Sequence, residues 1–199
     1  MIMKKVLFLF VAILAIGSLQ AQETGKFRVG VDLGYTIPSD GGGGVMFNFE
    51  PKYNIADNMN VGLRISSAAM AKGISSSDGS DMETKISANG SYMGTFDYYF
   101  SKGTSSFAPY VGGGLGYVSL ASVELESSST SADGGLDVSG KLGGLIRAGF
   151  EAGKFRMGLE YNLIPKSKID LISGGKGEIA NSYLGIHMGF YVGGGKWKK

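Results

Sequence analysis

Residues 109–118 read Pro-Tyr-Val-Gly-Gly-Gly-Leu-Gly-Tyr-Val, with four glycines in five positions between two tyrosines. Such a run is either a loop that closes on a phosphate or a strand stripped of side chains on one face. A phosphate loop needs a helix start after it and, in the Walker form, a Gly-Lys-Ser/Thr ending. Here Gly116 leads into Tyr-Val-Ser-Leu, a β-rich run without helical period, and the Gly-Lys pairs at Gly25, Gly140, Gly153 and Gly195 are followed by Phe, Leu or Trp. The G-x-G-x-x-G spacing fails too, because Tyr117 stands where the third glycine belongs. Read with period two, Phe107, Val111, Leu115 and Tyr117 fall on one face and Tyr110, Gly112, Gly114 and Gly116 on the other, as in a strand.

The same period recurs along the chain. Phe27, Val29, Val31, Leu33 and Tyr35 oppose Arg28, Gly30, Asp32 and Gly34; Val45, Phe47, Phe49 and Tyr53 oppose Asn48, Glu50 and Lys52. Further strands are centred on Val61–Ile65, Tyr92–Phe100, Leu142–Glu151, Phe155–Leu163 and Tyr183–Val192, which makes eight in all. Three connections are short, at Ala56-Asp57-Asn58, Ser101–Ser106 and Ala152-Gly153-Lys154. The others, Pro38–Gly44, Met70–Asp81, Ser127–Ser139 and Pro165–Asn181, are longer or more polar. Short turns at one end and long loops at the other predict an all-β, eight-stranded antiparallel up-and-down barrel.

The N-terminus opens with Lys4 and Lys5, an uncharged apolar run from Val6 to Ile16, and small residues to Ala21. That pattern predicts a cleavable signal peptide over 1–21 and a barrel domain over 22–199. An apolar run this short falls below the ~20 residues of a transmembrane helix. Of 19 basic residues two lie in this leader, leaving 17 against 17 acids, so nucleic-acid binding lacks an electrostatic footprint. Cysteine is absent, which excludes disulfides, thiolate metal sites and an N-terminal lipid anchor on cysteine. Glycine, at 34 of 199 residues, is more than twice its usual share of about 7%.

The apolar strand faces carry no charge, as lipid demands: a Lys or Arg at the midplane of a barrel costs about 2–4 kcal/mol. The rival arrangement is a soluble lipocalin-like barrel with the apolar face inside. A soluble exterior is commonly about 25–35% charged, whereas the other face here is mainly glycine and small polar groups. The uncharged face, the leader and the loop alternation favour a transmembrane β-barrel.

The PYVGGGLGY run, the GGLIRAGFEAGKFRMGLEYNLIP run from Gly143 to Pro165 and the closing YLGIHMGFYVGGGK resemble the small bacterial outer-membrane β-barrel proteins of the OmpA/OmpX-like superfamily. The resemblance spans the mature chain and implies a Gram-negative outer-membrane protein. It also implies insertion by the barrel assembly machinery, with Phe190 or Tyr191 as the terminal aromatic signal. No peptidoglycan-binding domain is expected after the barrel.

Counting inward from the short turns, Asp32, Glu50, Arg64, Arg147, Glu160 and His187 fall near one depth on the polar face, and Arg28, Lys52, Asp97, Glu151 and Arg156 form a second set nearer the periplasmic end. Charges out of bulk water persist when paired, so these residues predict an interior network that is either a static plug or a gate. His187 is the only histidine and has no evident serine partner, so neither a catalytic site nor a His-paired metal site is expected. Asp78, Asp81, Glu83, Asp133 and Asp137 lack calcium-loop spacing, and with Lys166, Lys168 and Lys176 they read as loop surface open to an extracellular ligand. The expected function is non-enzymatic, in envelope structure or surface interaction, for a monomer without cofactor whose partners are outer-membrane lipid and lipopolysaccharide. A narrow porin-like pore is the alternative, and a lipid A-modifying barrel enzyme the third reading.

Overall fold

A computed structural model of the chain describes residues 23–74, 83–100, 106–124, 137–170 and 176–194. The expected signal peptide lies outside them, as do Asp78, Asp81 and Asp133. The strands are β1 (Phe27–Pro38), β2 (Gly43–Ala56), β3 (Met59–Ile74), β4 (Glu83–Tyr99), β5 (Phe107–Glu124), β6 (Asp137–Ala152), β7 (Phe155–Leu163), β8 (Ser167–Asp170), β9 (Lys176–Ile179) and β10 (Tyr183–Gly193). All but β8 and β9 close into one antiparallel barrel in the order β1-β10-β7-β6-β5-β4-β3-β2. Consecutive strands are neighbours throughout, and β10 closes on β1 from Arg28 opposite Gly193 to Pro38 opposite Tyr183.

Expectations about all four long connections are corrected: Met70–Asp81 begins inside β3, which runs to Ile74, and Ser127–Ser139 ends inside β6, which starts at Asp137. Pro38–Gly44 is not a long loop, because β2 begins at Gly43 and only residues 39–42 turn, with Gly41 and Gly42 at φ 90° and 95°. Pro165–Asn181 is not plain loop either, since β8 and β9 pair within it as a separate hairpin. Lys141 Nζ fixes its base by donating to Lys166 O (2.5 Å) and Ser167 Oγ (2.9 Å). Two of the short turns stand where the period placed them, at 57–58 between β2 and β3 and at 153–154 between β6 and β7, with Gly153 at φ 61°; the third, Ser101–Ser106, lies outside the described residues but for Ser106.

The alternation resolves the two faces as the membrane assignment requires. Arg28, Asp32, Glu50, Lys52, Arg64, Asp97, Arg147, Glu151, Arg156, Glu160 and His187 are all buried, while Leu33, Leu63, Leu115, Leu142 and Ile146 are exposed. All phenylalanines of the strands point outward, and Tyr99, Tyr110, Tyr183 and Tyr191 point in. Monomers in water rarely expose apolar patches beyond a few hundred Å², so a continuous apolar wall around buried charges is the signature of a lipid-facing barrel.

Aromatic residues mark the edges of that wall. Near the short turns, rings touch in sequence from Phe107 to Phe150 (5.1 Å), Phe155 (6.4 Å) and Phe190 (5.6 Å), with Phe27 against Tyr53 (4.8 Å) further round. Towards the long-loop end Tyr35, Tyr92, Tyr117 and Tyr161 are exposed. Phe107 and Tyr117 are ten steps apart on β5, about 33 Å along a strand. At a tilt near 40° that is about 25 Å of height, the apolar band of outer-membrane barrels. β3 to β6, at 16, 17, 18 and 16 residues, exceed the 9 of β7 and 11 of β10. A spanning strand needs about 9–11 residues, so four adjacent strands project past the tyrosine belt on one side only.

Ile146 lies outward on β6 between the two belts. Ile146→Arg is expected to destabilise the barrel by about 2–4 kcal/mol in a bilayer, measured by reversible urea unfolding into vesicles. An effect within about 0.5 kcal/mol, usual for a water-exposed site, would place that face in solvent.

Candidate functional site

The interior is built from alternating charges and glycines. Asp97 on β4 pairs with Gly112 on β5, which pairs with Arg147 on β6. With no side chain at Gly112, Arg147 reaches over it: Nε lies 2.7 Å from Asp97 Oδ1 and Nη2 3.0 Å from Asp97 Oδ2. A Cβ at Gly112 would fall on the Asp97 carboxylate and 2.6 Å from Phe96 O. Gly62 separates Lys52 from Thr95 in the same way, and Gly158 separates His187 from the Tyr110 hydroxyl. Gly112 of PYVGGGLGYV is thus the floor on which an ion pair lies.

The charges fall into three groups. In the first, Arg147 forks onto Glu50 through Nη1 (3.1 Å) and Nη2 (2.7 Å) while also holding Asp97. Lys52 Nζ lies 2.5 Å from Asp97 Oδ2 and 3.3 Å from Glu50 Oε2. Thr95 Oγ1 donates to Glu50 Oε1 (2.6 Å), and Arg156 reaches Glu50 Oε2 (3.3 Å) with its guanidinium 4.5 Å over the Tyr110 ring. In the second group, near the short turns, Arg28 forks onto Glu151, which also accepts from the Tyr99 hydroxyl (2.8 Å). The Arg28 guanidinium lies 3.8 Å from the Tyr191 ring centroid. In the third, Arg64 Nη2 lies 2.5 Å from Glu160 Oε2, and His187 faces Asp32 (3.4 Å) and Glu160 (3.6 Å).

This grouping differs from the two depths read in the sequence. Glu50 and Arg147 belong with Lys52, Asp97 and Arg156 rather than with Asp32, Arg64, Glu160 and His187. Strand tilt is the reason: long side chains meet across the lumen along the stagger, not at equal counts from the turns. Among the described residues five acids and five bases meet inside, so the interior is neutral when His187 is neutral.

Sequence reading missed a second filling layer. Met46, Met70, Met93, Val118, Leu120, Leu145, Ile164 and Tyr183 form one buried apolar cluster with Ala68. Most lie at the long-loop ends of their strands, beyond the charges. Parity contains them, since Met46 alternates in phase with Asn48 and Glu50, and Met93 with Ser91 and Thr95. On composition alone their apolarity assigns them to the lipid.

No serine or threonine hydroxyl hydrogen-bonds to His187 among the described residues. Nor do described His, Asp and Glu side chains gather in a way that could hold a metal ion.

The profile of the outer membrane protein beta-barrel domain matches residues 6–194. The chain belongs to that family. As a member it is an outer-membrane β-barrel, located in the outer membrane of the cell. Its fold is similar to that of the outer membrane protein OprG from Pseudomonas aeruginosa, with TM-score 0.56 and 16% identity over 88% of this chain and 99% of that one. It is equally similar to Neisserial surface protein A, with TM-score 0.56 and 16% identity over 85% and 97% of the two chains. At this identity the likeness concerns architecture. No protein of curated function matches the chain significantly.

Within this outer-membrane barrel, truncating Arg147 removes the fork that serves Glu50 and Asp97 and leaves both acids to Lys52 and Arg156; breaking a buried pair typically costs about 3–5 kcal/mol. Arg147→Ala is expected to lose that much in urea unfolding. Glu50→Gln combined with Arg147→Met is expected to lose less than the sum of its singles, because the two residues are direct partners and each single removes the same contact.

Proposed function

We propose that the barrel is a non-enzymatic, closed membrane anchor that carries the projecting β3–β6 wall and its loops outside the cell, for envelope structure or surface contact. The observation that carries this reading is the filled interior: a paired ion network and, nearer the long loops, an apolar methionine-rich layer. The projection of four adjacent strands gives the outer end a surface of its own. A ligand at the loops, where Lys166 is exposed and Lys168, Lys176, Glu83 and Asp137 occupy the rims of β4, β6, β8 and β9, belongs to the same reading. Lipid and lipopolysaccharide around a monomer are the partners this geometry suits.

Insertion by the barrel assembly machinery would use Phe190, which faces outward, rather than Tyr191, whose hydroxyl is turned inward onto Gly153 O (2.7 Å). Maturation by cleavage after Ala21 belongs to the same reading, and N-terminal sequencing of the outer-membrane form checks it.

The charged lumen favours one other reading, a narrow pore gated by rearrangement of Glu50, Asp97 and Arg147. Planar-bilayer recording of the refolded chain separates the two: the anchor reading expects no steady conductance above background, and reproducible long-lived steps would assign a pore. Unchanged lipid A mass spectra on deletion and overexpression are expected of a non-enzymatic barrel.

A further inference from the structure

His187 on β10 has a carboxylate opposite each ring nitrogen. Nδ1 lies 3.4 Å from Asp32 Oδ2 on β1, and Nε2 lies 3.6 Å from Glu160 Oε2 on β7. The residue is 1% exposed. A neutral imidazole has one N–H and one lone pair. Whichever tautomer it adopts, a lone pair then faces a carboxylate oxygen, while an imidazolium turns an N–H toward each.

A second observation concerns the same three side chains. Asp32 Oδ1, Glu160 Oε2 and both ring nitrogens of His187 lack an aligned hydrogen-bond partner among the described residues. By contrast, each carboxylate oxygen of Glu50, Asp97 and Glu151 is bonded. The local charges point the same way: three bases surround Glu50 and Asp97, whereas among the described ion pairs Arg64 alone of the lysines and arginines meets Glu160, and Asp32 is paired with His187.

The groups facing the ring are Asp32 from β1, Arg64 from β3, Tyr110 from β5, Glu160 and Arg156 from β7, with Arg147 of β6 and Tyr183 of β10 behind Glu160. Met46 and Asn48, the interior residues of β2 at this side, are uncharged. Arg156 is the competitor for Asp32, which it faces across Gly189.

We propose that His187 is a proton-binding site inside the barrel. The bound proton makes the ring a bridge that ties β1, β10 and β7 through Asp32 and Glu160. Its loss loosens that side of the lumen while the Glu50 group stays locked. The site is independent of whether the barrel is an anchor or a pore.

His187 is the one histidine in the sequence, so the untagged full chain labelled with ¹⁵N-histidine reports this ring alone. In lipid nanodiscs its ¹⁵N spectrum is followed from about pH 4 to pH 9, spanning the usual range of histidine. The expected result is one titration to a form with both nitrogens protonated. Asp32→Asn and Glu160→Gln, both close in shape to the parent residues, are each expected to lower its midpoint by about one pH unit or more. A ring that stays a single neutral tautomer over the whole range, or a wild-type midpoint that neither substitution moves, overturns the proposal and leaves Arg156 as the cation that balances Asp32.

Discussion

The barrel interior depends on one constraint, that charges removed from water must be paired where they lie. Arg147 meets it by bridging Asp97 and Glu50 at once. A guanidinium has five donors in a fixed fork, enough to serve two carboxylates. A lysine at the same place would serve as a point charge and leave oxygens unbonded. Lys52 and Arg156 then fill the remaining positions around the two acids. Replacing such a network with apolar packing is often neutral or better for stability alone. Here its further effect is to lock the relative positions of β2, β4, β6 and β7, because each contributes one member or more.

That network could not assemble on a wall of ordinary side chains. In an eight-stranded barrel the lumen is just wide enough for side chains to fill. An arginine reaching across therefore needs its neighbouring strand to contribute nothing. Gly112 between Asp97 and Arg147, Gly62 between Lys52 and Thr95, and Gly189 between Arg156 and Asp32 supply those gaps. Interior glycine weakens a strand in isolation. The barrel recovers that loss through charge-assisted hydrogen bonds, which are roughly twice as strong as neutral ones. The glycine count and the buried charges are one feature seen from two sides.

The wall of the barrel was legible in the sequence because period two is a local property. Phe107, Val111, Leu115 and Tyr117 needed no partner to declare their face. The interior contacts were less legible because they are set by tilt and stagger. Glu50 and Lys52 are two residues apart, yet their partners Arg147 and Asp97 lie 97 and 45 positions away along the chain. The methionine layer was hidden for another reason. An apolar residue inside a membrane barrel contradicts the rule that polar faces the lumen, and only phase with Asn48 or Thr95 overrides it. The β8–β9 hairpin, two strands of four residues each, carries too few alternations to stand out from a polar loop.

The two interior layers follow one another along the barrel axis, and their order has a physical consequence. Met46, Met70, Leu120 and Ile164 lie on the long-loop side of Glu50, Asp97 and Arg147. Rearranging the ion pairs alone would leave this apolar layer in the path, and hydrophobic constrictions block ions by staying dry. Dryness acts back on the charges, since an ion pair shielded from water on one side is held more tightly than one in bulk solvent. The methionine side chains, unbranched and adaptable, fill the irregular space left by the stagger of strands of unequal length. The charged layer fixes strand register, and the apolar layer keeps water from competing with it. Together they make the wall rigid enough to carry the projecting half of β3 to β6 above the membrane.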